Sequence, residues 1–334
     1  MSGIVEIAKK AGVSPATVSR ALRGLHHVDE KTRMTIVEAA LQLDYPVRPD
    51  LISSKDRVKT NTIGVIAPFL SRWYFSQAIA GVEQALREAG FDLLLYNFAQ
   101  VDARERVLMQ KKLVDKVDGI IVISLPPSEK EFDRLLNLGI PVSLLGVASN
   151  RCSSVSIDDV AGAKLATQHL IEMGHREIAI MSGQIEPVYD FKVANQRLQG
   201  FQETLVENGL DFHPRFEILS DFTSATAALA MEEFLGRKKL PTAIFCESDE
   251  MAFGVYQTLN KRGMRVPEDM SIIGYDGHDF GATIGLSTVA QPVRFLGQLA
   301  ASQVMTLIDK PNNALSNMVV PTELVMRQSV LKIN

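Results

Sequence analysis

The 334-residue sequence is poor in cysteine, in tryptophan and in net charge. Its two cysteines, Cys152 and Cys246, stand far apart, which excludes a disulfide framework and reads as a reduced, cytoplasmic chain. No apolar run reaches the roughly 18 residues of a membrane span. The start, Met-Ser-Gly-Ile-Val-Glu, has neither the basic nor the apolar region of a signal peptide, so no membrane partner is expected. Enzyme signatures are missing too. There is no Gly-x-x-x-x-Gly-Lys-Ser/Thr, no Gly-x-Gly-x-x-Gly after a strand, no His-Glu-x-x-His and no Cys-x-x-Cys. His169 and His175 flank a helix end and the cysteines are isolated, spacings that do not make a metal site. Neither catalysis nor a cofactor is expected. A net charge of −4 does not advertise a polyanion partner, but the charge is unevenly spread. Residues 1–60 hold ten Lys/Arg and seven Asp/Glu, against 25 and 32 in the rest, so the basic excess sits at the N-terminus.

What is present begins with that segment. Ile4, Ile7, Ala8 and Ala11 recur at helical spacing, and Gly12 follows as a stop, because glycine takes positive φ cheaply. Ser14 is a good N-cap, and Pro15 falls at the first helical position, where its missing N–H costs nothing. In the second helix Val18, Ala21 and Leu22 face inward. Ala16, Arg20 and Arg23 share the other side, with Thr17 and Ser19 at its edges. Val28 and Asp29 read as staple and N-cap of a third helix, whose apolar face is Ile36, Val37, Ala40, Leu41 and Leu43. The pattern fits a helix-turn-helix that sends its second helix into the DNA major groove. An ordinary helical hairpin has the same periodicity.

The run Gly12-Val-Ser-Pro-Ala-Thr-Val-Ser-Arg-Ala-Leu22 resembles the signature of the LacI/GalR family of bacterial transcription regulators, and the resemblance continues through Val28-Asp-Glu-Lys-Thr-Arg33 and along the whole chain. It implies a three-helix headpiece at 1–45, a hinge linker at 46–61 and a two-lobe effector-binding and dimerisation core at 62–334, like periplasmic sugar-binding proteins. The residues most like base readers are Pro15, Ala16 and Arg20; Ser14, Thr17, Ser19, Arg23 and His27 read as contacts to the DNA backbone. The linker holds two prolines and no hydrophobic period. The family's hinge wedges a leucine into the minor groove. Here Lys55 stands in that leucine's place; either Leu51 or Ile52 substitutes for it, or the central operator step is less bent.

From Thr62 short apolar runs alternate with amphipathic helices. The runs include Ile63–Ala67, Gly119–Ile123, Ile178–Met181, Ala243–Cys246 and Ser271–Tyr275. Buried parallel strands with helical crossovers are implied, and there are too many for one sheet. The fold class is α/β: two doubly wound lobes, with ligand in the crevice at the strands' carboxyl ends. The resemblance implies crossovers near 160, 290 and 320. The N-lobe would then take about 62–160 and 291–320, and the C-lobe about 161–290 and 321–334. No leucine heptads follow the closing strands, so a dimer rather than a tetramer is expected.

The residues after each strand are small, acidic, amide or aromatic, a set suited to a polyhydroxylated or heterocyclic ligand. By resemblance, Arg197 bridges ligand oxygens and Asp276 binds ligand. Ser248 stands where many members have Asn. The acidic Asp249 after it binds ligand or caps the next helix. Phe222 stacks, and Arg72, Trp73, Tyr74 and Phe75 open the first core helix toward the ligand. Phe191 supplies an apolar ligand face, and Gln291, at a crossover, reaches ligand or braces the hinge. The expected function is a cytoplasmic repressor that binds a palindromic operator as a homodimer and answers to a carbohydrate effector. The alternatives are a nucleobase effector, or a solute-binding protein without regulatory role.

Overall fold

The computed structural model describes residues 3–23, 28–43, 45, 47, 59–97, 115–183 and 192–333. The N-terminal unit is three helices, α1 (Ile4–Ala11), α2 (Pro15–Leu22) and α3 (Glu30–Leu41). Gly12, at φ 68°, closes α1 by returning its N–H to the Ala8 carbonyl. Ser14 caps α2, its Oγ accepting the Thr17 N–H at 3.1 Å. Asp29 caps α3 by accepting the Thr32 N–H at 3.0 Å. Ile7, Val18 and Ile36 are fully buried between the helices, with Ala8, Ala21, Val28 and Ala40 around them. Each of the three large side chains contributes about 1.5–3 kcal/mol by leaving water.

The core is two six-stranded sheets. The first runs β11-β5-β4-β3-β1-β2, with β1 (Thr62–Ala67), β2 (Asp92–Asn97), β3 (Gly119–Ile123), β4 (Val142–Leu145), β5 (Ser153–Ser156) and β11 (Asn317–Val319). The second runs β12-β10-β9-β8-β6-β7, with β6 (Ile178–Gly183), β7 (Glu217–Ser220), β8 (Ala243–Cys246), β9 (Ser271–Asp276), β10 (Ser287–Ala290) and β12 (Glu323–Val325). Every pairing among them is parallel except β10 with β12. The central strands are continuous apolar runs because helices cover both faces.

In the first lobe α4 (Trp73–Glu88) packs on α11 (Val293–Asp309). Two glycines make the crossing close: a Cβ on Gly81 would fall 2.0 Å from the Arg294 carbonyl oxygen, and one on Gly297 2.3 Å from that of Ala78. α5 (Glu129–Leu136) covers the other face through Phe132 and Leu135. In the second lobe α6 (Asp159–Glu172) packs on α7 (Val193–Glu207), and α8 (Ser224–Phe234) on α9 (Asp249–Lys261). The short α10 (Asp279–Thr283) follows β9. The chain changes lobe at 157–158, between β5 and α6, at 291–292, between β10 and α11, and at 320–322, between β11 and β12. Sequence reasoning missed β10, because Ser287-Thr-Val-Ala has no apolar run. Its polar groups are satisfied internally: the Ser287 N–H donates to Ser329 Oγ at 2.8 Å, and Thr288 Oγ1 accepts the Gly277 N–H at 3.3 Å. The amphipathic stretch at 104–114 lies outside the described residues. No described helix is long and apolar enough to cross a membrane.

Candidate functional site

Between the lobes lies a cavity of about 270 Å³, reached by the carboxyl ends of strands from both sheets. Among the described residues, four non-glycine residues have positive φ: Asn61, Ser124, Phe222 and Asp276. The last three line the cavity, each at or just after the end of a strand. Such backbone costs on the order of 1–3 kcal/mol per residue and persists where the surroundings enforce it, most often at ligand sites.

The C-lobe wall is built on Arg197. This side chain rises from α7, is 4% exposed, and lies over the Tyr275 ring with its guanidinium carbon 3.6 Å from the ring centre. Its Nε donates to Asp159 Oδ1 at 2.8 Å, its Nη1 donates to the Glu247 carbonyl, and Nη1 lies 3.6 Å from Asp276 Oδ1. Asp276 is placed by the end of β9, and its Oδ1 accepts from Gln291 Nε2 at 2.7 Å. Gln291 therefore both braces the crossover and lines the cavity. Burial pushes the Asp276 carboxyl up to about 7, against the opposing pull of Arg197 and Gln291. Burial also raises Asp159 and Glu250, which face the same space.

The N-lobe wall carries one charge, Arg72, whose guanidinium carbon lies 3.9 Å from the centre of the Phe69 ring, and no carboxylate among its described lining residues. Tyr74 from α4 accepts a hydrogen bond from Ser124 Oγ at 3.2 Å, and burial pushes its phenol up to about 12. Gly146, at φ 78°, lies against both, for a Cβ there would meet Ser124 Oγ at 2.5 Å and Tyr74 Oη at 2.9 Å. Phe75 packs edge-on to Phe69 and Tyr74 and is nearly buried. Across the cavity Phe222 covers Gly183, where a Cβ would collide with its ring.

The cavity thus brings together Arg72, Tyr74, Phe75, Arg197, Phe222, Ser248, Asp276 and Gln291. Trp73 is not among its lining residues. Its indole crosses the cleft instead, stacking on His278 with ring centres 4.9 Å apart and donating from Nε1 to Asp279 Oδ2 at 3.4 Å. The expectation for Asp249 needs correcting: Ser248 is the cap of α9, accepting the Met251 N–H at 3.2 Å. Asp249 is fully buried and accepts the His278 N–H at 2.7 Å, tying β9 to α9. Phe191 lies outside the described residues. Sequence reasoning missed Asp159 and Glu250. The signal for Asp159 was its place in Ile157-Asp-Asp159, directly after a strand.

On the headpiece, Ser14, Pro15, Ala16, Arg20 and Arg23 are exposed, while Thr17 and Ser19 are half-buried. Ser14 Oγ and Thr17 Oγ1 are also bonded to each other at 2.8 Å. His27, Leu51, Ile52 and Lys55 lie outside the described residues.

Comparison with known proteins agrees with this layout. Residues 3–47 match the family described as bacterial regulatory proteins, lacI family, and residues 167–330 match the periplasmic binding protein-like domain. Catabolite control protein A of Priestia megaterium is 32% identical over 98% of both chains. A LacI family transcriptional regulator from Enterococcus faecalis, solved with bound ribose, is 32% identical. It covers 82% of this chain and 100% of its own, with a TM-score of 0.71. The lac repressor dimer bound to operator and the anti-inducer ONPF is 25% identical over 99% of both chains, again with a TM-score of 0.71.

Proposed function

Since the chain belongs to the LacI family of bacterial regulatory proteins, and is a ligand-responsive DNA-binding regulator rather than an enzyme, we propose that its effector is a carbohydrate held by Arg197, Asp276 and Gln291 between the lobes. The observation that carries this reading is the state of Arg197 and Asp276. Arg197 Nη2 and Asp276 Oδ2 have no hydrogen bond among the described residues, although both groups are buried and line the cavity. Arg197 and Asp276 are neighbours, Nη1 lying 3.6 Å from Oδ1, and a donor group beside an acceptor group matches the hydroxyls of a sugar, each of which both gives and accepts. The ring faces of Phe222 and Tyr74 suit its apolar edge. At about 270 Å³ the cavity lies at the small end of small-molecule pockets, in keeping with a ligand as small as a monosaccharide. The ribose-bound relative supports the same class of ligand.

The protein works in the cytoplasm as a homodimeric repressor. Two headpieces take the half-sites of a palindromic operator, as the relative with operator bound is also a dimer. In each, α2 enters the major groove with Arg20 reading bases beside Pro15 and Ala16. Ser14, Thr17, Ser19, Arg23 and His27 fix the register on the backbone, and the segment with Leu51, Ile52 and Lys55 joins headpiece to core. Effector acts by preferring one arrangement of the lobes, and its differential affinity sets the size of the response.

A thermal-shift panel of sugars, sugar phosphates and purines tests the effector. A ligand at about 100 times its Kd adds about 2.7 kcal/mol of stability. A sugar hit that disappears in Asp276→Ala is the expected result; a purine hit with no sugar hit overturns the carbohydrate reading. Operator binding that survives deletion of residues 1–45 would overturn the DNA assignment.

A further inference from the structure

Asp159 is out of place as a structural residue. It is the first residue of α6, yet the helix is capped by its neighbour Asp158, whose side chain accepts the Ala161 N–H at 2.9 Å. Its Oδ1 takes the Arg197 Nε, and no hydrogen bond reaches Oδ2 among the described residues. The side chain is 12% exposed, and that exposure is to the cavity it lines. Arg197 therefore lies between two carboxylates, Asp159 at Nε and Asp276 near Nη1. One buried guanidinium needs one carboxylate; a second leaves an uncompensated negative charge unless another donor meets it.

We propose that Asp159 is a second effector-binding carboxylate, which works with Asp276 on either side of the Arg197 guanidinium to accept hydrogen bonds from separate hydroxyls of one sugar. This rests on the carbohydrate reading of the same cavity. Asp159 Oδ2 and Asp276 Oδ2 are the two acceptors, Arg197 Nη2 is the donor, and the ligand supplies hydroxyl hydrogens to both carboxylates. The specificity that follows is for a polyol: a sugar lacking the hydroxyl that faces Asp159 leaves that carboxylate unpaired, and a site built for a hydroxyl rejects such analogues strongly.

The arrangement also makes binding depend on protons. Asp276 faces Arg197 from α7, Asp159 from α6, Glu250 and Asp249 from α9, and Gln291 from the crossover. Burial and the neighbouring carboxylates hold its proton up to about 7 in the free protein. Hydroxyl donors select the ionised form, so affinity rises with pH through that range and a proton leaves on binding. Replacing Asp159 by Asn removes one of the like charges and lowers the Asp276 proton affinity.

The test is calorimetry on the full chain with D-ribose, D-glucose, D-galactose, D-fructose and D-mannose, in buffers of different ionisation enthalpy from pH 5.5 to 8.5. Wild type is compared with Asp159→Asn, whose amide oxygen keeps an acceptor for Arg197 Nε, and with Asp159→Glu. For any sugar that binds wild type, Asp159→Asn should weaken binding at least tenfold and move the pH profile to the acid side, with partial recovery in Asp159→Glu. A merely structural ion pair would lower the melting temperature and leave affinity and proton release unchanged, which overturns the proposal while the sugar site stands. No binding of any of the five sugars to wild type would overturn both readings.

Discussion

The two walls of the cleft solve the same task with different chemistry. The C-lobe presents a buried arginine between carboxylates, stacked on Tyr275 and braced by Gln291. The N-lobe presents a single arginine, Arg72 over Phe69, and otherwise hydroxyls and backbone, Tyr74 and Ser124 against Gly146. A wall of paired charges fixes orientation through a few strong directional bonds, whereas a wall without carboxylates, mostly hydroxyl and backbone, selects more by shape. The asymmetry teaches where the binding energy is concentrated. Loss of a charged partner leaves an unpaired buried ion, while loss of a neutral hydroxyl leaves at most a weak vacancy.

The largest effect should come from Arg197→Ala. It strands Asp159 and Asp276 without their cation, so denaturant unfolding should show a loss of about 3–5 kcal/mol, and effector binding should vanish. A loss below 1 kcal/mol would mean that the carboxylates are neutral or solvated, and the contrast between the walls would break. Gly146→Ala is the counterpart on the N-lobe wall. Its φ of 78° and its lack of room beside Ser124 and Tyr74 predict about 1–3 kcal/mol of destabilisation together with weaker binding.

Asp276→Asn sharpens the comparison through pH. A carboxyl whose proton is held up to about 7 in the folded state penalises folding progressively as pH rises from about 4 to 7, and fully above that. The Asn variant lacks the penalty. Its melting temperature should therefore gain on wild type between pH 5 and pH 8, while effector affinity falls at least tenfold, about 1.4 kcal/mol. A pH-independent difference would show that Asp276 is ionised throughout. Tyr74→Phe should be the mildest, near 1 kcal/mol in stability, with affinity reduced less than tenfold and no change in its pH dependence. A larger loss than from Asp276→Asn would reverse the ranking of the walls.

The headpiece was almost wholly legible in the sequence, because its signals are local. Gly12, Ser14, Pro15 and Asp29 act within four residues of where they stand, and the structure uses Gly12, Ser14 and Asp29 as the stop and caps their types imply. The apolar strands were legible for the same reason. α5 was legible and overlooked: Ser128 and Glu131 form a reciprocal capping box ahead of the buried Phe132 and Leu135. β10 was not legible, since the buried Ser287 and Thr288 hydroxyls accept the Arg327 and Gly277 N–H groups and the Ser287 N–H donates to Ser329, partners that only the assembled sheet supplies. At the site, Arg197, Asp276 and Gln291, which the resemblance singled out, line the cavity. Trp73 was expected at the ligand and instead spans the lobes to His278.

By itself the sequence determined the helix-turn-helix, the α/β class and the alternation of strand and helix, because each rests on periodicity and capping within one segment. Only the tertiary structure decided which carboxylates meet Arg197. Asp159 opens α6, Arg197 stands on α7 and Asp276 ends β9, and their meeting depends on sheet order and on where the chain crosses between lobes. Coulomb attraction and desolvation act on distances between atoms, and those distances arise from packing that no single stretch of the chain encodes.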